Sequence, residues 1–281
     1  MSNERIKITC ECRDCDKLEK VDNAGLISYE NNNKIQYMFN GVKIYYDSYH
    51  SPWMNEIIKN LKGHHEPQEE LCFYYILQVL DNNANMLELG CAWCYYSMFF
   101  RNKIKDGINI CIEPNITKLE KGKKNVDLNN LNNFNYIHGY IGKNYIENDK
   151  FIDWDNSIFR ISQYNISSII KKYDNIFLDI IHSDIQGAEV DMLYGSIDVL
   201  YNIGFFVIST HEDCHQKCIN FLNNNNFMIL VQHTIEESYS ADGLIISVNK
   251  KYINKYEKKI NNLSLKQYFD NNCNISKRKF N

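Results

Sequence analysis

The chain has 281 residues, 44% of them hydrophobic, enough for one full-sized core with extensions. Its formal net charge of −4 and pI near 6.1 exclude the broadly basic face expected of a nucleic-acid or anionic-membrane binder. No apolar run approaches the ~18 residues of a membrane-spanning helix, and the first residues show no secretory h-region. The ten cysteines are therefore expected to be reduced thiols in a cytoplasmic protein.

Residues 1–35 are polar and carry Cys10, Cys12 and Cys15. That C-x-C-x-x-C spacing begins a zinc site, but no matching half follows, and a flexible or partly paired extension is expected. Ile35–Phe39 and Val42–Tyr46 flank Asn40-Gly41, a hairpin signature. Residues 53–62 read as helical. Pro67, flanked by Glu66 and Glu69, opens a strong helix through Leu80, with Leu71, Tyr74, Tyr75, Leu77 and Leu80 on one apolar face.

From there strands and helices alternate. Strands are expected at 85–90, 108–113, 135–139, 175–184 and 203–210, helices at 94–104, 116–130, 188–202 and 214–224. Two further strands, 227–233 and 243–248, joined through Ala241-Asp-Gly243, suggest an antiparallel edge. The pattern is that of a mostly parallel sheet covered on both faces. Residues 251–281, rich in lysine and asparagine, read as a helix and a loose tail.

In such a sheet ligands sit beyond the carboxyl ends of the strands. The first strand delivers Glu88, Gly90, Cys91 and Trp93 there, within Met86-Leu-Glu-Leu-Gly-Cys-Ala-Trp-Cys-Tyr-Tyr-Ser97. The second delivers Glu113, Pro114 and Asn115, and the third His138, Tyr140 and Ile141. The fourth ends in His182-Ser-Asp-Ile-Gln-Gly-Ala-Glu189, the fifth in Ser209-Thr-His-Glu-Asp-Cys-His215. Glu113 lies roughly twenty-five residues beyond Glu88, where a doubly wound fold grips a ribose diol. Only Gly90 stands where a dinucleotide loop needs three glycines, and there is no Gly-Lys-Ser/Thr, so a phosphate-free nucleoside fits best.

Cys91-Ala-Trp-Cys94 has the form of a redox dithiol. Asp184 and His211 are candidates to deprotonate a hydroxyl; with His182 or His215 they are also candidate ligands of a divalent metal. The plain alternatives are a helix cap for Asp184 and a backbone-satisfied buried ring for His211.

Glu88-x-Gly90, Glu113-Pro114 and above all Ser183-Asp-Ile-Gln-Gly-Ala-Glu189 resemble the FkbM family of S-adenosylmethionine-dependent methyltransferases. Ser209-Thr-His211 and Ser238-Tyr-Ser-Ala-Asp-Gly-Leu244 resemble one branch of it. The resemblance spans roughly residues 64–248. It implies an α/β class I methyltransferase (Rossmann-like) fold, a seven-stranded mostly parallel sheet with helices on both faces and an antiparallel last strand. The domains implied are an extension over 1–63, the methyltransferase domain over 64–250, and a C-terminal helix and tail over 251–281. By position, Glu88, Gly90 and Cys91 line the methionine end of S-adenosyl-L-methionine beside Trp93. Glu113, with Pro114 and Asn115 next to it, takes the ribose hydroxyls, while Tyr140 and Ile141 flank the adenine. Asp184 and His211 face the methyl group and the acceptor, without a metal.

The acceptor implied is a sugar hydroxyl of a glycan or glycosylated small molecule, with Tyr145, Trp154, Phe159 and Tyr239 as aromatics for stacking. A homodimer is compatible with the sequence, as is a monomer. The family usually places a second glycine four residues after the first, where this chain has Cys94. A non-catalytic carbohydrate- or protein-binding module on the same fold is the alternative, and a nicotinamide-dependent dehydrogenase a more distant one.

Overall fold

The computed structural model describes residues 3–49, 52–152, 156–261 and 263–278. Asn40-Gly41 turns the chain between β2 (Asn33–Tyr37) and β3 (Lys43–Tyr45), and β1 (Ile27–Glu30) completes a small antiparallel sheet in the order β1-β2-β3. Two helices flank it, α1 (Asn3–Glu11) and α2 (Pro52–Asn60). Asn125 anchors this sheet to the rest of the chain: fully buried, its Oδ1 accepts the Tyr45 amide at 2.9 Å and the Ser48 hydroxyl at 3.0 Å. Its Nδ2 donates to the Trp93 carbonyl at 3.1 Å. A single side chain thus satisfies backbone groups from two segments, removing the cost of leaving them unpaired in the core.

The main sheet has nine strands. In chain order they are β4 (Met86–Leu89), β5 (Asn109–Glu113), β6 (Phe134–Ile141), β7 (Ile146–Ile152), β8 (Ile158–Tyr164), β9 (Leu178–Ser183), β10 (Ile203–Thr210), β11 (Phe227–His233) and β12 (Gly243–Asn249). In space they run β11-β12-β10-β9-β4-β5-β6-β8-β7. The block from β10 to β8 is parallel; β12 opposes both its neighbours, and β7 opposes β8. This is the order expected for a class I methyltransferase sheet, with β7 and β8 added at one edge.

The expected seven strands are present, and the two additional ones fall between 146 and 164, where no strand is expected from sequence. Ile146-Glu-Asn-Asp-Lys-Phe-Ile152 has charges where a buried strand would be apolar, because β7 is an edge strand facing water. The helix expected over 188–202 is divided into α7 (Glu189–Tyr194) and a 3-10 turn at Ile197–Asn202, between which the Ser196 hydroxyl bonds the Leu193 carbonyl at 2.7 Å.

Alternation along the strands builds two cores. Met86, Cys111, Ile180, Phe205 and Val207 face one side, packed by α3 (Pro67–Val79), α4 (Tyr95–Lys103), α5 (Ile116–Leu128), α9 (Ile253–Glu257) and α10 (Leu265–Asn272). Leu87, Leu89, Ile110, Ile112, Ile181 and Phe206 face the other, packed by α6 (Ile166–Lys172), α7 and α8 (Cys214–Asn224). The period of two separates these sets cleanly. No helix among the described residues is long and apolar enough to cross a membrane.

The expected loose tail is bonded to the beginning of the chain. Asp14 accepts the Ser276 hydroxyl at 2.6 Å and its amide at 2.9 Å, and Gln68 Nε2 donates to the Ser276 carbonyl at 2.6 Å.

Candidate active site

From β4 the chain builds outward through β5 and β6 on one side and continues to β9 and β10 on the other, so the order reverses between β4 and β9. A cavity of about 1370 Å³ opens there, at the carboxyl ends of the strands. Glu88, Gly90, Cys91, Trp93, Glu113, Pro114, Asn115, Tyr140, Ile141 and Asp184 all line it. Clefts for a single small ligand run to about 1,000 Å³, and this one is larger.

Gly90 adopts φ +74°, and a Cβ there would lie 2.0 Å from the Asp184 carbonyl oxygen. Only glycine lets the end of β4 pass this close to the end of β9. Its amide and that of Cys91 both donate to the Ile112 carbonyl at 3.0 Å. The loop is then fixed by Glu113, whose Oε2 accepts the Ala92 amide at 3.0 Å while Oε1 accepts the Asn115 amide at 2.9 Å. Asn115 itself caps α5, its Oδ1 accepting the Thr117 and Lys118 amides.

Glu88 lies in the cavity floor with its carboxyl turned to the start of α4, where Oε2 accepts the Ser97 amide at 3.1 Å. Burial, and then the neighbouring Cys111, push that carboxyl well above its ordinary range. At the far end Tyr140 bonds Asp149 and tilts against Phe151 at 4.6 Å between ring centres. The added β7–β8 hairpin thereby walls the cavity through Phe151, Ile152 and Gln163. Pro114 presents its carbonyl to His138 Nε2 at 2.9 Å.

Asp184 follows β9 and keeps about a third of its side chain open, at 35%. His211 stands behind it, outside the cavity lining. Its Nε2 lies 3.3 Å from Asp184 and 3.1 Å from Asp242, and its Nδ1 lies 2.7 Å from Glu189. Burial disfavours charge on this ring, but Asp242, Glu189 and Asp184 outweigh it and raise its pKa to about 11. His211 is therefore an imidazolium at neutral pH. Burial and Asp242 raise Asp184 to about 7, with His211 pulling the other way. Gln186 Nε2 donates to Asp184 Oδ1 at 2.8 Å.

Several cavity residues carried no signal that linked them to the site. Tyr49, Trp53, His65 and Tyr96 join the expected Trp93 in an aromatic wall, with Tyr49 edge-on to Trp53 at 5.2 Å and to Trp93 at 5.7 Å. Behind it lies a buried ionic layer at the start of α3. Glu70 accepts His64 Nδ1 and His65 Nδ1, each at 2.6 Å, and the Tyr95 hydroxyl at 3.2 Å. Glu69 accepts His182 Nε2 at 2.6 Å and the Ser209 hydroxyl at 2.7 Å. Histidines in pairs before an acidic first turn, His64-His-Glu-Pro-Gln-Glu-Glu70, were the available signal. The expected aromatics sit elsewhere: Tyr145, Phe159 and Tyr239 do not line the cavity, and Trp154 lies outside the described residues.

Neither expected histidine joins Asp184 and His211: His182 Nε2 lies 2.6 Å from Glu69, and His215 lies 2.8 Å from Thr210 and 3.2 Å from Gln232. Cys10, Cys12 and Cys15 do not converge either; Cys15 Sγ donates to the Pro67 carbonyl at 2.9 Å. All ten cysteines are free.

No protein-family model matches the chain, and no curated protein matches it. Among solved structures it is similar to an rRNA methylase from Streptococcus thermophilus, with 9% identity over 64% of this chain and 94% of that one and a TM-score of 0.46. It is similar to precorrin-6y C5,15-methyltransferase from Geobacter metallireducens GS-15, with 14% identity over 62% and 85% of the two chains and a TM-score of 0.42. TrmK of M. capricolum in complex with S-adenosyl-homocysteine is a third, at 14% identity, 64% and 67% coverage and a TM-score of 0.41.

Proposed function

We propose that this chain is an S-adenosylmethionine-dependent O-methyltransferase of the FkbM kind, acting in the cytoplasm on a sugar hydroxyl of a glycan or glycosylated small molecule. The observation that carries the reading is the placement of Glu113 and Asp184 on either side of Gly90, around one cavity.

The lining suits the cofactor. Glu113 offers a buried carboxylate to the ribose hydroxyls, and Ile112, Ile141 and Tyr140 offer an apolar and aromatic enclosure for a base. His182 Nδ1 is a buried ring nitrogen without a hydrogen-bond partner, on a residue that lines the cavity; it suits a polar group of the methionine end. Bound there, S-adenosylmethionine supplies a methyl group already activated by a sulfonium.

The chain's own residues then do two things. They position the acceptor, and they take its proton. Asp184, with a pKa near neutrality, is the better base, since a base titrating near working pH combines availability with driving force. His211 is a positioning residue: its charge holds the Asp184 and Asp242 carboxylates at set distances, while Glu189 fixes its ring. Excluding water and orienting the acceptor account for much of the remaining rate. The aromatic faces of Tyr49 and Trp53, beside the carboxylates of Asp184 and Asp242, support a sugar as the acceptor, since rings cover its C–H face and carboxylates accept its hydroxyls.

Calorimetry with S-adenosylmethionine, followed by a turnover assay for S-adenosylhomocysteine on a panel of sugars, tests the proposal. Stoichiometric binding and turnover on at least one sugar are expected. Absence of binding would remove the reading; binding without turnover on any sugar would leave a non-catalytic carbohydrate-binding module.

A further inference from the structure

Beneath the loop that follows Gly90, three thiols face one another. The Sγ atoms of Cys91, Cys94 and Cys111 all lie within 4.8 Å of each other, and the three residues are at most 1% exposed. A metal bonded to sulfur at about 2.3 Å holds three sulfurs roughly 4 Å apart, so the cluster closes on one ion with shifts of under about 1 Å.

The backbone is bent to make this cluster. Ala92 and Cys94 both adopt left-handed conformations, at φ 39° and 60°, and the Cys94 amide donates to the Cys91 carbonyl at 2.6 Å. Such residues persist only where their surroundings over-determine them. α5 supplies one such constraint: a Cβ on Gly122 would lie 2.5 Å from Cys94 Sγ, so the glycine leaves the space that the sulfur fills. Cys111 enters from mid-β5, and Ser97 Oγ lies 3.2 Å from its sulfur. Two other buried thiols bond carbonyl oxygens instead, Cys15 that of Pro67 and Cys214 that of Gly187, while Cys72 meets the thiol of Cys273.

We propose that Cys91, Cys94 and Cys111 bind one zinc ion, with the Ser97 hydroxyl oxygen as fourth donor. Three thiolates are the soft donors that zinc and copper(I) select. A dication leaves the buried site with a net charge of −1 and a monocation with −2, which favours zinc in a core where charge is costly. Binding converts three thiols to thiolates and releases three protons for each ion taken up. Of the three, Cys91 borders the cavity. The metal clamps the turn from Cys91 to Cys94 to β5, fixing the floor of the cavity from below. None of this depends on methyl transfer.

The test uses the full chain, reduced and stripped of metal, titrated with zinc in competition with a chromophoric chelator and in two buffers of different ionisation enthalpy. One ion per chain and close to three protons per ion are expected. Cys94→Ser and Cys111→Ser should each weaken binding by more than about 100-fold, beyond the loss caused by removing an outer-shell partner, while Cys10→Ser leaves it unchanged. X-ray absorption of the cadmium-loaded wild-type chain gives an answer that does not require the variants to fold, with three sulfurs and one oxygen expected. Substoichiometric binding, fewer than three sulfurs, or a Cys91–Cys94 disulfide in place of bound metal would overturn the proposal.

Discussion

His211 Nδ1 lies 2.7 Å from Glu189 Oε1, and that contact, with Asp242 and Asp184 on the opposite nitrogen, makes the ring a cation. A histidine at the end of a central strand reads as a base from sequence. Surrounded by three carboxylates it already holds a proton, and in the proposed mechanism Asp184 is the base.

The rate of methyl transfer should therefore rise with pH through a single limb near 7, the value to which burial and Asp242 raise Asp184. Asp184→Asn should lower kcat by about 10²–10⁴-fold with cofactor affinity nearly unchanged. Asp242→Asn removes a neighbouring anion and should shift the limb to lower pH. A limb unmoved in that variant, measured as kcat against pH, would exclude Asp184 as the titrating group.

His211→Gln should move the same limb the other way. Losing the cation raises the Asp184 pKa further, and kcat at pH 7 falls accordingly. The charge also has a stability signature. A group whose folded pKa is raised stabilises the fold fully below its ordinary value, here 6.5, and the contribution is lost as pH rises through about 11. Urea unfolding of wild type and variant across the alkaline range should show that loss in the wild type alone.

Glu113→Ala should weaken S-adenosylmethionine binding by about 10–100-fold, the loss of charge-assisted hydrogen bonds worth roughly 1.5–3 kcal/mol. Part of that loss comes through the loop, since the Ala92 amide loses its acceptor. Glu113→Gln keeps an acceptor for that amide and should recover some affinity, which calorimetry can resolve.

Glu70→Ala should destabilise the fold by about 3–5 kcal/mol, the cost of removing one partner from a buried ionic group. Burial alone would raise the Glu70 carboxyl, but His64 and His65 outweigh it and hold it low. The variant leaves those rings and the Tyr95 hydroxyl without their shared acceptor. The urea midpoint is the measurement.

Most of the sheet was legible because β4, β5, β9 and β10 are short, fully buried and mainly apolar runs. Their last residues lie on one rim by topology alone, which is why Glu113 and Asp184 could be named. Tyr49, Trp53 and Glu66 reach the same cavity from before the first sheet strand, and no periodicity announces that path. The β7–β8 hairpin was hidden for a related reason: its charges face water at an edge. Cys111 looked like any small residue in a buried strand until β5 was placed beside β4, with Cys111 opposite Glu88 in register.

The bonds between Asp14 and Ser276 join residues 262 positions apart. Pairings between such distant segments bear the largest loop-closure cost and gain nothing until both segments are in place. The clasp between these two segments beside α3 is thus expected to form late in folding. It is expected among the first contacts to open when the protein loosens, which amide exchange of the Ser276 N–H would show.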